Sequence, residues 1–333
     1  MDPRLNPYTP GAGVRPPALV GRDREIESFG LLLERLRRGR SERSVLITGL
    51  RGVGKTVLLG AFAEQAWLEG WASIEGEIST EAPFGPRMAL LVRRAAGVLR
   101  SFSITVSTEG SVTGSVDVEP IEGAADSGEL GEDLSDLFVA VGEAAREHES
   151  GVVFLLDEIQ FLARPELEAL IRALHRVSQR QLPLALAGAG LPNVARLAGE
   201  AKSYAERLFT FPVLGPLPLQ DAQEALTRPA AALEVTFDRR AVAAVMAFAE
   251  GYPYFIQEYG DVLWDHAVGP NVTAVEAVEA QALVEARLDS NFFRVRVERA
   301  SEQEIRYLRA MAELGSQPQT AAAVAEVLHR RSD

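Results

Sequence analysis

Eight consecutive residues constrain this chain more than any others: Gly49-Leu50-Arg51-Gly52-Val53-Gly54-Lys55-Thr56, the pattern G-x-x-x-x-G-K-[ST]. The short apolar run Ser44 to Thr48 before it reads as a buried strand, and Lys55 to about Glu69 after it reads as a helix. A chain that passes from strand to helix through such a loop turns its backbone N–H groups inward and offers a helix N-terminus, an arrangement that holds phosphate. The glycines let the backbone wrap closely. On this reading Gly49, Gly52, Val53, Gly54 and Val57 line the loop, Lys55 reaches the β- and γ-phosphates, and the Thr56 hydroxyl ligates Mg²⁺. Composition points to the same place. Of 34 basic residues only Lys55 and Lys202 are lysines, and a lysine that survives so strong an arginine bias marks a position where chemistry can require it.

Downstream, Val152-Val153-Phe154-Leu155-Leu156-Asp157-Glu158 is an apolar strand ending in two carboxylates. A carboxylate is costly to bury unless paired or near a metal, and ligands bind at the C-terminal edge of a parallel sheet. Asp157 is therefore the candidate Mg²⁺ ligand and Glu158 the candidate group that polarises an attacking water. The plainer alternative, that Asp157 caps the next helix, suits a lone Asp better than one downstream of a phosphate loop.

At 333 residues the chain has room for two domains and possibly a small third. Residues 1–20, rich in Pro and Gly, read as an extended arm, and Asp23 to about Gly39 as a helix. Residues 21–215 alternate strands and helices, with further strands at Trp71 to Ile78 and Leu182 to Ala187 and a helix from Pro86 to about Arg100. This alternation predicts an α/β fold, a parallel sheet with helices on both faces. Phe102, Ile104 and Val106 alternate with polar residues before the turn Glu109-Gly110, which predicts an inserted β-hairpin over 102–118. The acidic stretch Glu119 to Asp136 reads as a solvated loop leading into a helix to about Glu147. Residues 216–290 are predicted to be all helical, as are segments within 291–333.

Several function classes are disfavoured. There is no cysteine, hence no disulfide framework, thiolate metal site or cysteine nucleophile. His148, His175, His266 and His329 show no metal-ligand spacing. A net charge of −13 opposes a broad non-specific grip on nucleic acid. No apolar run approaches the roughly 20 residues needed to span a bilayer, and the start Met1-Asp2-Pro3-Arg4 lacks signal-peptide character, so no membrane role and a cytoplasmic location are expected.

The phosphate loop, the Asp157-Glu158 strand end, the helical region behind them and Leu19-Val20-Gly21-Arg22-Asp23-Arg24-Glu25 together resemble the AAA+ ATPases, within them the Orc1/Cdc6-like and STAND branch, over roughly residues 14–290. The resemblance implies ATP or ADP with Mg²⁺ as cofactors, and makes 216–290 a lid over the core. It implies that Val20 and Gly21 lie near the adenine. Arg22 would lie near the nucleotide, or else form a surface ion pair at the helix start. Gly251-Tyr252-Pro253-Tyr254 looks like the GxP segment of STAND proteins, whose proline packs beside the nucleotide; Pro253 could equally just open a helix. No polar sensor side chain stands at Gly188-Ala189-Gly190, although Asn193 is close. The segment after that strand can carry an arginine finger offered to a neighbouring copy in a homo-oligomer, with Arg207 the candidate and Arg196 the reserve.

Ser301 to Leu314 and Thr320 to Leu328 resemble the first two helices of a winged helix-turn-helix, in a segment with seven Arg against six acidic residues over 291–333. The sequence stops at Asp333, before a recognition helix, so an incomplete winged helix without sequence-specific DNA binding is expected. The implied activity is Mg²⁺-dependent ATP hydrolysis coupled to movement of the lid, with an unknown protein partner. The alternative is a slow nucleotide-loaded signalling switch or a DNA-associated transcriptional regulator.

Overall fold

The computed structural model describes residues 1–11, 13–81, 83–107, 129–298, 300–315 and 317–330. In chain order the core contains α1 (Asp23–Arg37), β1 (Ser44–Gly49), α2 (Lys55–Leu68), β2 (Ala72–Glu77), α3 (Phe84–Ser107), α4 (Leu130–Glu147), β3 (Val152–Asp157), α5 (Arg164–Gln179), β4 (Leu184–Gly190), α6 (Val194–Ala201), α7 (Ala205–Leu208), β5 (Phe209–Thr210) and β6 (Val213–Leu214). The strands form one parallel sheet in the order β2-β3-β4-β1, with β5 and β6 both pairing the outer side of β1.

Alternate residues of each strand feed two cores. Val152, Phe154 and Leu156 pack with Leu91, Phe138 and Leu170 of α3, α4 and α5 on one face, where Phe138 stacks on Phe154 with ring centroids 4.8 Å apart. Val153 and Leu155 pack with Phe29 and Phe62 of α1 and α2 on the other, and those two rings stack at 4.1 Å. With both faces covered, the central strands β1 and β4 are buried throughout, which is why they read as unbroken apolar runs.

The hairpin expected over 102–118 is corrected in its first half: residues 102–107 continue α3. Extending an established helix is easier than nucleating a new element, and this outweighs three alternating β-type residues. The expected turn and second strand, like most of the acidic stretch, lie outside the described residues.

Behind the core come α8 (Leu219–Ala231), β7 (Thr236–Phe237), α9 (Arg239–Ala249), α10 (Pro253–His266), β8 (Asn271–Val272) and α11 (Ala274–Leu288). The helices surround Leu226, Val245, Tyr259, Leu263 and Val284. The two short strands pair in parallel, a feature too brief for periodicity to reveal. A single π-type turn, Asp289–Phe293, leads to α12 (Arg294–Glu298), α13 (Glu302–Glu313) and α14 (Ala321–Arg330). Ser301 caps α13 through a capping box with Glu304, and the last two helices share a small core of Ala310, Val324 and Val327. No described helix is long and apolar enough to cross a membrane.

The N-terminal arm, expected to be extended, opens with a single 3-10 turn, Pro3–Leu5, and is packed as a strap. The Met1 ammonium donates to the Ala267 carbonyl at 2.9 Å, and Trp264 Nε1 donates to the Asp2 carbonyl at 2.9 Å. Tyr8, only 3% exposed, sits in the lid core beside Gly260, where a side chain would collide with its ring, and its hydroxyl donates to the Leu226 carbonyl. The strap then crosses to the core: Gly13 lies against Thr56, Arg15 pairs with Glu64 of α2, and Ala18 and Val20 return to the lid core.

Candidate phosphate-binding site

β1 ends at Gly49 and β3 at Asp157, and β4 lies between them with its own tip at Gly190, so three strand ends converge on one edge of the sheet. Gly52 and Gly54 take φ values of 84° and 91°, the left-handed region that a side chain would strain, and this bends the chain from β1 into α2. Lys55 opens α2 and is 9% exposed, its ammonium donating to the Leu50 carbonyl at 2.9 Å. Burial pulls the Lys55 pKa below the ordinary lysine value, opposed by Glu158 and Asp157 and reinforced by Arg51. A phosphate at this loop would supply the negative charge that favours the ammonium.

Thr56 Oγ1 donates to Asp157 Oδ2 at 2.6 Å, bringing together the two proposed Mg²⁺ ligands. The pair offers a hydroxyl and a carboxylate, oxygen donors of the kind Mg²⁺ takes together with waters and phosphate oxygens. Among the described residues no group of three or more His, Asp or Glu could hold a metal without such help. Asp157 does not cap the following helical turn, whose N-cap position is Glu158; its Oδ1 accepts only the adjacent Glu158 N–H, at 2.8 Å, while Oδ2 faces Thr56.

Glu158 takes the left-handed conformation, φ 56° and ψ 37°, a strained state for a non-glycine residue that is common at functional sites. Gln160 Nε2 donates to the Glu158 carboxylate, while Gln160 Oε1 accepts the Leu191 N–H at 3.0 Å. One side-chain amide thus ties the carboxylate to the tip of β4, where no sensor side chain was found in the sequence. Gly190 makes room for it, because a Cβ there would stand 2.7 Å from Gln160 Oε1. The Asp-Glu-Ile-Gln run held the signal for this contact, but only the fold shows what the amide touches. Asn193 is exposed and its side chain does not cap α6.

An apolar cleft beside the loop is lined by Val20, Arg22, Val53, Gly54, Val57 and Pro253, with Leu217 and Gln257 among its other walls. Core, lid and strap all contribute. Gly21 faces Asp221 and Leu217, whose atoms leave no room for a side chain. Arg22 is not a surface ion pair: it is 8% exposed and donates to the carbonyls of Val53 at 3.2 Å and Gly215 at 2.9 Å, joining the phosphate loop to the start of the lid. Burial lowers its pKa, with Glu25 and Asp221 opposing.

Pro253 opens α10, as one of its two readings expects, and also lines the cleft. The next N–H, that of Tyr254, has no partner inside its helix and donates to the Gly52 carbonyl of the phosphate loop at 3.2 Å. Tyr254 in turn stacks on Phe292 at 5.1 Å, and Arg296 lies 3.4 Å above the Phe292 ring. These aromatic contacts on the loop were not read from the sequence.

Arg207 is exposed in α7, and among the described residues it makes no ion pair. It precedes β5, whose Phe209 pairs Ser44 at the opposite end of β1 from the loop. That end is about 17 Å away along the strand at 3.3 Å per residue, so Arg207 does not serve its own phosphate loop. Arg196 pairs with Glu200, and Lys202, the other lysine, pairs with Glu168 at 3.7 Å, away from the site.

Fold and site define a P-loop nucleotide-binding protein: a parallel sheet with a glycine-rich loop at one strand end, a paired carboxylate at another and a helical lid behind. A family model described as AAA ATPase domain matches residues 18–187, just over half of the chain, and the chain belongs to that family. Residues 290–333 match a domain of unknown function, DUF8462. No curated protein matches the chain. Among solved structures, the chain is similar to the Thermotoga maritima RuvB Holliday junction branch migration motor, with 17% identity, a TM-score of 0.51, and 96% of this chain and 86% of that one covered. It is likewise similar to Cdc6p from Pyrobaculum aerophilum, with 14% identity, a TM-score of 0.51, and 98% and 83% covered. At these identities the likeness is one of fold.

Proposed function

We propose that this chain binds ATP with Mg²⁺ in the cleft between core and lid and hydrolyses it, coupling the cycle to movement of the lid. The observation that carries this reading is the 2.6 Å contact of Thr56 with Asp157 beside the buried Lys55, which joins both halves of a phosphoryl-transfer site. Lys55 holds the phosphates together with the inward backbone N–H groups of Gly52 to Thr56. Thr56 and Asp157 hold Mg²⁺, which would neutralise charge on the phosphate oxygens. Glu158, oriented by Gln160, accepts the proton of the attacking water. Val20 and Pro253 flank the base, and the Tyr254-to-Gly52 hydrogen bond gives the lid a direct connection to the loop. Arg207 acts, if on any nucleotide, on that of a neighbouring copy in a homo-oligomer.

A second reading, a slow nucleotide-loaded switch, is favoured by Gln160, which engages the Glu158 carboxylate and would restrain it from reaching a water. As a DNA-associated regulator the chain would act through its C-terminal helices. Steady-state ATPase assays alongside analysis of nucleotide retained after purification separate turnover from storage. Lys55→Ala should abolish binding, whereas Glu158→Gln should keep ATP bound and stop hydrolysis. Equal loss of ATP binding in both variants would contradict the assigned roles.

A further inference from the structure

Gln257 is a polar side chain in the wall of the cleft to which the phosphate site assigns no role. It lies on α10, one turn beyond Pro253, is 8% exposed, and lines the apolar cleft with Val20, Val53, Leu217 and Pro253. Its Oε1 accepts the Thr9 N–H of the strap at 3.2 Å. That bond fixes which end of the amide is which, because a backbone N–H can be received only by the oxygen. The opposite end, Nε2, then carries two N–H donors, and among the described residues neither has a hydrogen-bond partner. Both donors are therefore available to a molecule in the cleft. The strap shows a matching deficit, since the Thr9 hydroxyl oxygen is buried without a partner among the described residues.

We propose that Gln257 reads the base: its Nε2 donates to a ring nitrogen of a purine held in the cleft, with Thr9 as the positioning residue that orients the amide. This rests on the nucleotide reading above and adds to it the side chain that recognises the base. Apolar walls contribute contact area but no direction, and a purine edge carries acceptor nitrogens that a fixed amide donor can distinguish from carbon. Because Thr9 belongs to the strap, base recognition requires the strap to be seated on α10.

Calorimetric titration of the full chain with ADP and with inorganic tripolyphosphate, which has no base, tests the proposal. Gln257→Leu and Gln257→Glu both remove the donor at similar size; each should weaken ADP about tenfold, the loss expected for about 1.4 kcal/mol, and leave tripolyphosphate affinity unchanged. For the wild-type chain, one of 1-deaza-, 3-deaza- and 7-deaza-ADP should bind about tenfold more weakly than ADP, and that analogue should lose nothing further in Gln257→Leu. The proposal is overturned if all three analogues bind the wild-type chain like ADP, or if the variants lose ADP and tripolyphosphate equally. Lys55-dependent tripolyphosphate binding with no effect of Gln257 on ADP would remove the base contact and leave the phosphate site standing. A wild-type chain that binds neither ligand would remove both.

Discussion

Thr56 and Asp157, 101 residues apart in the chain, meet through a 2.6 Å hydrogen bond across the tip of the intervening strand β4. A hydroxyl that donates to a carboxylate makes a short, charge-assisted bond, and the same two oxygens are free to turn to a cation. Thr56→Ala and Asp157→Asn should therefore each remove most of the effect of Mg²⁺ on nucleotide affinity. In wild type, Mg²⁺ should tighten ATP by about tenfold or more over the value in chelator; in either variant the two titrations should coincide. A variant that keeps the full Mg²⁺ effect would take that residue out of the metal site.

Gln160 couples the candidate catalytic carboxylate to β4. Without its amide, Glu158 has one fewer restraint and the Leu191 N–H loses its acceptor. If hydrolysis depends on that alignment, Gln160→Ala should lower the turnover number by about 10- to 100-fold, the range expected for a catalytic group displaced by about an ångström, with ATP affinity little changed. Faster turnover in Gln160→Ala would instead mark the amide as a brake and support the switch reading.

Arg207 lies at the far end of β1 from its own phosphate loop, so as an arginine finger it could act only in trans. ATPase activity per chain should rise with protein concentration, and Arg207→Ala should lower the activity of the assembled form by about 10³-fold or more. Arg196→Ala should change little, because Arg196 is engaged by Glu200. A rate independent of concentration would exclude the finger.

Tyr8 anchors the strap in the lid core. Tyr8→Ala opens a cavity beside Gly260 and removes the hydroxyl's bond to the Leu226 carbonyl, and should destabilise the chain by about 3 kcal/mol or more in denaturant unfolding. The same variant should loosen ADP, since Thr9 follows directly and orients Gln257. A loss below about 1 kcal/mol would show that the strap is not held by this residue.

Local pattern determined much of this protein. The phosphate loop was legible because its glycines, lysine and threonine act through one continuous stretch of backbone, and the Asp157-Glu158 strand because a carboxylate at the end of an apolar run has few structural explanations. The lid helices were legible from apolar spacing, and Pro253 from its place at a helix start. Lysine scarcity pointed to Lys55 and equally to Lys202, which the fold pairs with Glu168. Where local signals competed, the sequence misled: alternation at 102–107 lost to an advancing helix.

What only the tertiary structure decided is every relation between distant segments. The strand order puts β4 between the loop and Asp157, which seats Gln160 against Leu191 and Thr56 against Asp157. Arg22, read from the sequence either as near the nucleotide or as a surface ion pair, is a buried link between loop and lid because Gly215 arrives beside Val53. The arm became a strap because Gly260 leaves a recess for Tyr8, and Gln257 became a candidate base reader because Thr9 takes one end of its amide. Periodicity reports which face of an element is apolar; it holds no information on which remote backbone group a side chain will meet, because that partner is set by strand order and helix packing.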